Sequence, residues 1–111
     1  YPEIIAFARE ESQKAGIPGY TFSHAGDGNL HQVFMGKTGD KKEWDIIDQV
    51  NERIVSKALA MDGTATGEHG VGIGKRKFMQ AEHGASLKLM KGIKNMLDPN
   101  GILNPGKIFL G

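Results

Sequence analysis

Two short stretches hold the side chains that could do metal and acid–base chemistry. The first is Ser23-His24-Ala25-Gly26-Asp27-Gly28-Asn29-Leu30-His31. Read as a β-hairpin with Asp27-Gly28 as its two-residue loop, it pairs Gly26 with Asn29, Ala25 with Leu30 and His24 with His31. Directly opposed residues have Cβ atoms roughly 5 Å apart, about the separation at which two imidazole nitrogens share one metal ion. The second stretch is Thr64-Ala65-Thr66-Gly67-Glu68-His69-Gly70-Val71-Gly72-Ile73-Gly74-Lys75, in which Glu68 offers the carboxylate of a two-histidine, one-carboxylate set. Such a set suits catalytic zinc with an open position and equally suits non-haem iron; spacing does not separate the two. Glu68 and His69 are neighbours, so in an extended segment their side chains diverge. One then holds the metal while the other faces the substrate. A metal acting on a substrate hydroxyl makes its proton easier to remove, and a histidine, whose ordinary pKa is about 6.5, suits the base that takes it. The plain alternatives are a surface pair of histidines and a Glu68 paired with Lys75 or Arg76.

The elements that must position these groups read as follows. Residues 2–15 carry Ile4, Ile5, Phe7, Ala8 and Ala15 among charges, with Gly16 next, which predicts an amphipathic helix and its glycine stop. Ile17-Pro18-Gly19 is a turn. Residues 20–24 and 30–35 are the hairpin strands, with His31, Val33 and Met35 on one face and Leu30, Gln32 and Phe34 on the other. From Lys41 to about Met61, Trp44, Ile47, Val50, Ile54, Ala58 and Met61 recur at spacings of three and four, widened by Ile46, Val55 and Leu59. This is the strongest helix, with Asp40 as N-cap, Glu43 three residues on, and Asp62-Gly63 as its stop. The glycine-rich segment 63–74 is expected to be an ordered loop or a bulged edge. A short helix over 76–82 and a second over 86–97 follow, the latter with Leu87, Met90, Ile93, Met96 and Leu97 on its apolar face. Asp98-Pro99-Asn100-Gly101 reads as a turn, and Asn104-Pro105-Gly106-Lys107 as a type II turn.

Composition narrows the classes. Sixteen of 111 residues are glycine, about twice the usual share, and five of them fall between Gly63 and Gly74. Backbone of that kind turns sharply or approaches something closely. A net charge of +1 leaves no basic footprint for nucleic acid. The absence of cysteine removes disulfides and thiolate sites and fits a reducing compartment. No apolar run approaches the roughly 18 residues of a membrane span. A cytoplasmic location, at most peripheral to a membrane, is expected. Met61, Met79, Met90 and Met96 read as core filler, and His83 as a surface residue. Gly70 to Lys75 fits neither the Walker pattern nor the dinucleotide fingerprint. The chain starts at Tyr1 already reading as helix, and two strands against four helices is a thin sheet for a self-sufficient domain. We therefore expect an α+β fold in which an antiparallel sheet, incomplete here, packs against helices, as part of a longer protein.

His24 to His31, then Gly63 to Gly72, then Leu97-Asp98-Pro99-Asn100-Gly101-Ile102-Leu103-Asn104-Pro105-Gly106-Lys107 resemble, in that order, the C-terminal domain of FAD-linked oxidases, the group of the glycolate oxidase flavin subunit, D-lactate dehydrogenase and D-2-hydroxyglutarate dehydrogenase. The resemblance implies that residues 1–111 are the C-terminal part of a substrate or cap domain, whose tail over 98–111 returns toward an N-terminal FAD-binding domain. It implies oxidation of a D-2-hydroxy acid to the 2-oxo acid by hydride transfer to FAD, with electrons passed to a quinone or an electron-transfer protein, and allows partner subunits. His24, His31 and Glu68 would then be ligands of a divalent metal, zinc in members where it is known, His69 the base, and Asn104 a residue approaching the flavin. Val33 stands where members acting on dicarboxylic acids can carry Asn, which favours lactate or glycolate. This stretch by itself is expected to be inactive. The alternative to an enzyme is a structural metal-binding or scaffold module.

Overall fold

The helices form where the local signals put them. In this computed structural model, which describes residues 1–110, α1 spans Pro2–Ala15 and α2 spans Lys41–Ala60. Pro2 sits in the first turn of α1, where its missing N–H is no loss. Gly16 ends the helix in the left-handed conformation at φ 66°, with its N–H on the Gln13 carbonyl and the Ile17 N–H on that of Ser12. Asp40 caps α2 by accepting the Glu43 N–H at 3.1 Å. The far end of α2 closes by the same pair of bonds as α1, Asp62 N–H to Leu59 and Gly63 N–H to Ala58. Here, however, the left-handed residue is Asp62, at φ 60°.

The described residues fall into two units, Tyr1–Gly63 and Thr64 onward. In the first, β1 (Gly19–His24) and β2 (Asn29–Phe34) form a two-stranded antiparallel sheet. One sheet face packs on the helices: Leu30 and Phe34 join Ile4, Phe7 and Ala15 around a core of Ala8, Val50 and Ile54. A polar chain crosses the same face, Thr21 Oγ1 donating to Gln32 Oε1 at 2.6 Å and Gln32 Nε2 to Ser12 Oγ at 3.4 Å. Glu11, buried on α1, pairs with Arg53 of α2, which with Lys14 holds its carboxyl below the usual 4.5 against the opposing effect of burial. The stripe of α2 is narrower than its sequence suggests. Ile47, Val50, Ile54 and Val55 are buried, while Ile46 and Trp44 are exposed, Trp44 donating its indole N–H to the Lys37 carbonyl at 3.0 Å.

In the second unit the segment from Thr64 to Lys75 is a loop of bends and turns, followed by one 3-10 turn at Arg76–Phe78, then α3 (Met79–His83) and α4 (Ser86–Leu97). Ala65, Phe78 and Met79 are its buried apolar residues. Two expectations are corrected here. The apolar face of α4 is not a core face among the described residues, since Leu87 and Met90 are half-buried while Ile93, Met96 and Leu97 are exposed. Met96, 72% exposed, is therefore not core filler. Helical periodicity shows which face of α4 would profit from cover, and says nothing of whether cover is there.

Candidate metal centre and catalytic loop

The hairpin carrying His24 and His31 differs in register from the sequence reading. Its pairs are Phe22 with His31, Ser23 with Leu30 and His24 with Asn29. A two-residue loop of the hairpin type would need positive φ at both Asp27 and Gly28, and only Gly28 has it, at 68°. The chain instead takes one 3-10 turn over Ala25–Asp27 and closes with the Gly28 N–H on the Ala25 carbonyl at 3.3 Å. This makes a four-residue loop. The shift moves His24 and His31 from directly opposed to diagonal positions. A shift of two residues keeps every side chain on its face, so both imidazoles stay on the side of the sheet away from the core.

Diagonal neighbours still lie within reach of ring side chains. The His24 and His31 centroids are 5.1 Å apart with planes at 81°. Phe22 stacks on His31 at 4.8 Å, with the rings only 5° from parallel. Asn29, opposite His24, brings its Nδ2 to 3.5 Å from His31 Nε2 and has its own carbonyl held by the Tyr1 hydroxyl at 3.0 Å. Phe22 and Asn29 thus orient the His31 ring. Neither stood out in the sequence. Their signal was their place at i−2 and i+5 of His24, on the one face that the alternation of the strands leaves open.

In the second unit, Glu68 and His69 lie on a bend, and their side chains do not diverge as an extended segment would make them. His69 Nε2 is 3.4 Å from Glu68 Oε1. Gly67 before them and Gly70 after them, the latter at φ 76°, allow the bend that brings the neighbours together. Upstream, Glu82 on α3 accepts the Ala65 N–H at 2.9 Å. Burial works to raise the Glu82 pKa, but the Thr64 hydroxyl, the Ala65 amide and His83 outweigh it and hold the carboxyl below the usual 4.5. Downstream, the Gly72 carbonyl accepts the Ile108 N–H at 2.8 Å, and Arg76 Nη1 donates to the Gly106 carbonyl at 2.8 Å. Lys75, half-buried over the Phe78 ring at 5.8 Å, has its ammonium pKa lowered by burial and by the nearby Lys77.

Asn104 sits at φ 47° at the start of the closing turn, and Gly106 at φ 72° gives the third position the left-handed conformation that a type II turn requires. Two residues on, Ile108 has φ 66° and the Phe109 N–H bonds the Lys107 carbonyl at 2.7 Å. That is a γ-turn with a β-branched residue at its strained centre. The turn before it is locked by Asp98, which accepts from Lys94 and, at 3.0 Å each, from the Ile102 and Leu103 N–H groups. The Lys94 ammonium and these amides hold the Asp98 carboxyl below its usual 3.8.

Residues 1–108 match the family described as FAD linked oxidases, C-terminal domain. The chain belongs to that family. Among its relatives, the probable mitochondrial D-lactate dehydrogenase of Danio rerio is 41% identical over 96% of this chain and 22% of its own length. The mitochondrial D-lactate dehydrogenase [cytochrome] of Arabidopsis thaliana is 42% identical over 96% of this chain and 19% of its own. The glycolate oxidase subunit GlcD of Bacillus subtilis is 42% identical over 80% of this chain and 19% of its own. The chain therefore spans about a fifth of the length of these relatives. Its two antiparallel strands and four α-helices, among the described residues, are an α+β stretch of an FAD linked oxidase C-terminal domain. Among the described residues no helix is long and apolar enough to cross a membrane.

Proposed function

We propose that this chain is the C-terminal part of the substrate domain of a flavin-dependent enzyme that oxidises a D-2-hydroxy acid, lactate or glycolate in preference, to the 2-oxo acid. The observation that carries the proposal is the hairpin of an FAD-linked oxidase holding two imidazoles 5.1 Å apart on an open face. His24, His31 and Glu68 together offer two imidazole nitrogens and a carboxylate oxygen, a donor set that fits a divalent ion, zinc first. When bound, the ion would polarise the substrate hydroxyl, and FAD, held mainly by residues outside this chain, would accept the C2 hydride and relay electrons to a quinone or an electron-transfer protein.

What the chain itself contributes follows from its side chains. Phe22 and Asn29 hold the His31 ring in orientation. His69 takes the hydroxyl proton, and its Nε2 lies 3.4 Å from Glu68 Oε1, which fixes the orientation of the ring. Glu68 would also offer a carboxylate oxygen to the ion. Asn104, fixed in the closing turn, is proposed to approach the flavin as the tail from residue 98 returns toward the FAD-binding domain; residue 111 lies outside the described residues. Val33, on the same sheet face as the histidines, gives that face an apolar neighbour rather than a second carboxylate's partner. For location we propose the cytoplasm or a membrane surface; the Danio rerio and Arabidopsis thaliana relatives are named as mitochondrial proteins, which makes the mitochondrion the second compartment to test.

The test is a screen of the purified full-length protein against D-lactate, glycolate and D-2-hydroxyglutarate with a dye acceptor, with and without chelator. The expected protein is yellow, carries about one metal per chain, and loses dye reduction with chelator. His69→Ala is expected to lower kcat about 10²- to 10⁴-fold with the metal retained. A colourless protein that reduces no dye with any of the three acids overturns the proposal. A metal-containing protein indifferent to His69→Ala returns the hairpin to a structural role.

A further inference from the structure

We propose that Glu82 is a positioning residue for the loop that presents Glu68 and His69; the inference rests on the roles just proposed for that pair. The loop has two anchors. At its downstream side the Gly72 carbonyl is tied to the Ile108 amide at 2.8 Å. At its upstream side the polar anchor is Glu82, whose carboxylate takes the Ala65 N–H at 2.9 Å and the Thr64 hydroxyl, while Thr64 Oγ1 in turn accepts the Thr66 N–H at 3.3 Å. One carboxylate thus organises three consecutive loop residues, directly at 64 and 65 and through Thr64 at 66. Its side chain is 14% exposed, so these bonds are made with little competition from water.

Between the anchors the chain runs Thr66-Gly67-Glu68-His69-Gly70-Val71, and two of the six residues are glycine. Glycine restrains its neighbours least of all residues, so the place of the Glu68-His69 pair is sensitive to where the two ends are held. Glu68 is three residue steps from Ala65, a reach of roughly 10 Å, so a shift at the upstream anchor is passed to the pair on a scale larger than the tolerance of a metal ligand. Glu82 touches neither a reacting atom nor a ligand atom in this reading. It acts through the backbone of the loop.

The experiment uses the full-length flavoprotein with Glu82→Ala and Glu82→Gln. Zinc affinity is read on the folded protein by competition with a chromophoric chelator, kcat and KM with the hydroxy acid that the screen selects, and loop order by hydrogen exchange of the amides of residues 65–69. Glu82→Ala is expected to weaken zinc about 10-fold and to lower kcat more than it raises KM, with faster exchange at Ala65. Glu82→Gln, whose amide oxygen still accepts the Ala65 N–H, is expected to recover most of both. A merely structural role would lower the melting temperature and leave the zinc affinity of the folded protein and the kcat-to-KM split unmoved. Unchanged zinc affinity in Glu82→Ala overturns the inference. If Glu82→Ala does not fold, Thr64→Val, which removes only the hydroxyl bond, must weaken zinc or the inference fails. Should the wild-type protein bind no zinc, that failure belongs to the proposed metal site. Exchange at residues 65–69 then decides on Glu82: faster in Glu82→Ala supports it, and unchanged rates sink it.

Discussion

Replacing Gly63 by alanine tests the way α2 hands over to the loop region. Gly63 does not occupy the left-handed position at the end of α2; Asp62 does, at φ 60°, while Gly63 follows it with its N–H on the Ala58 carbonyl at 2.8 Å. A Cβ built on Gly63 lies 2.8 Å from that same carbonyl oxygen, against 3.4 Å for ordinary contact, and so must retreat by about 0.6 Å. The obstacle is backbone in the last turn of a helix and has no rotamer to turn away. Retreat therefore lengthens or breaks the capping bond. Overpacking of this kind costs about 1–3 kcal/mol, and a lost backbone hydrogen bond about 1 kcal/mol within that range. At about 1.4 kcal/mol per tenfold, amide exchange in the last turn of α2 should accelerate roughly 5- to 150-fold in Gly63→Ala, while amides of β1 and β2 change little. The control is Asp62→Gly, which relieves the left-handed strain and should slow exchange in the same turn. Exchange in Gly63→Ala within twofold of wild type, with Asp62→Gly slower or equal, would refute the claim that close approach and not φ is what keeps Gly63.

The remaining predictions are shorter. Val50, wholly buried between α1, α2 and the sheet, should cost about 2 kcal/mol as Val50→Ala, read as a lower denaturation midpoint of the first unit within the full-length protein; a change under 0.5 kcal/mol would contradict the core assigned here. Phe22→Ala removes the platform under His31, a stack worth about 0.5–1.5 kcal/mol, and should weaken zinc two- to tenfold while Phe22→Tyr does not. Glu11, Glu82 and Asp98 all ionise below their ordinary values of 4.5, 4.5 and 3.8. Their contribution to stability is complete above those values and is lost as pH falls through the lower folded ones, so acid melts should show a drop that begins below about pH 4.5 and is shallower in Asp98→Asn.

Both long helices were legible because their determinants are local. Proline in the first turn of α1, Asp40 with Glu43 at the head of α2 and the three-and-four spacing of Ile47, Val50 and Ile54 are facts about residues within one or two turns of each other. The presence of a hairpin was legible for the same reason, and so was the face on which the histidines lie, because a strand alternates strictly and a register error of two leaves the alternation intact. The register itself was not. Asp27-Gly28 satisfies the composition of a two-residue loop, yet Asp27 keeps negative φ and the chain prefers one 3-10 turn closed by Gly28.

Sequence alone therefore determined on which elements His24, His31, Glu68 and His69 ride. Only the tertiary structure decided that Phe22 lies flat on His31, that Glu68 turns toward His69, and that a carboxylate on α3 holds the start of their loop. The physical reason is range. Helix caps and strand alternation are settled by neighbours in the chain. A stack across a sheet, or a bond between residues 17 positions apart, is settled by which surfaces find one another, and spacing along the chain carries no record of that.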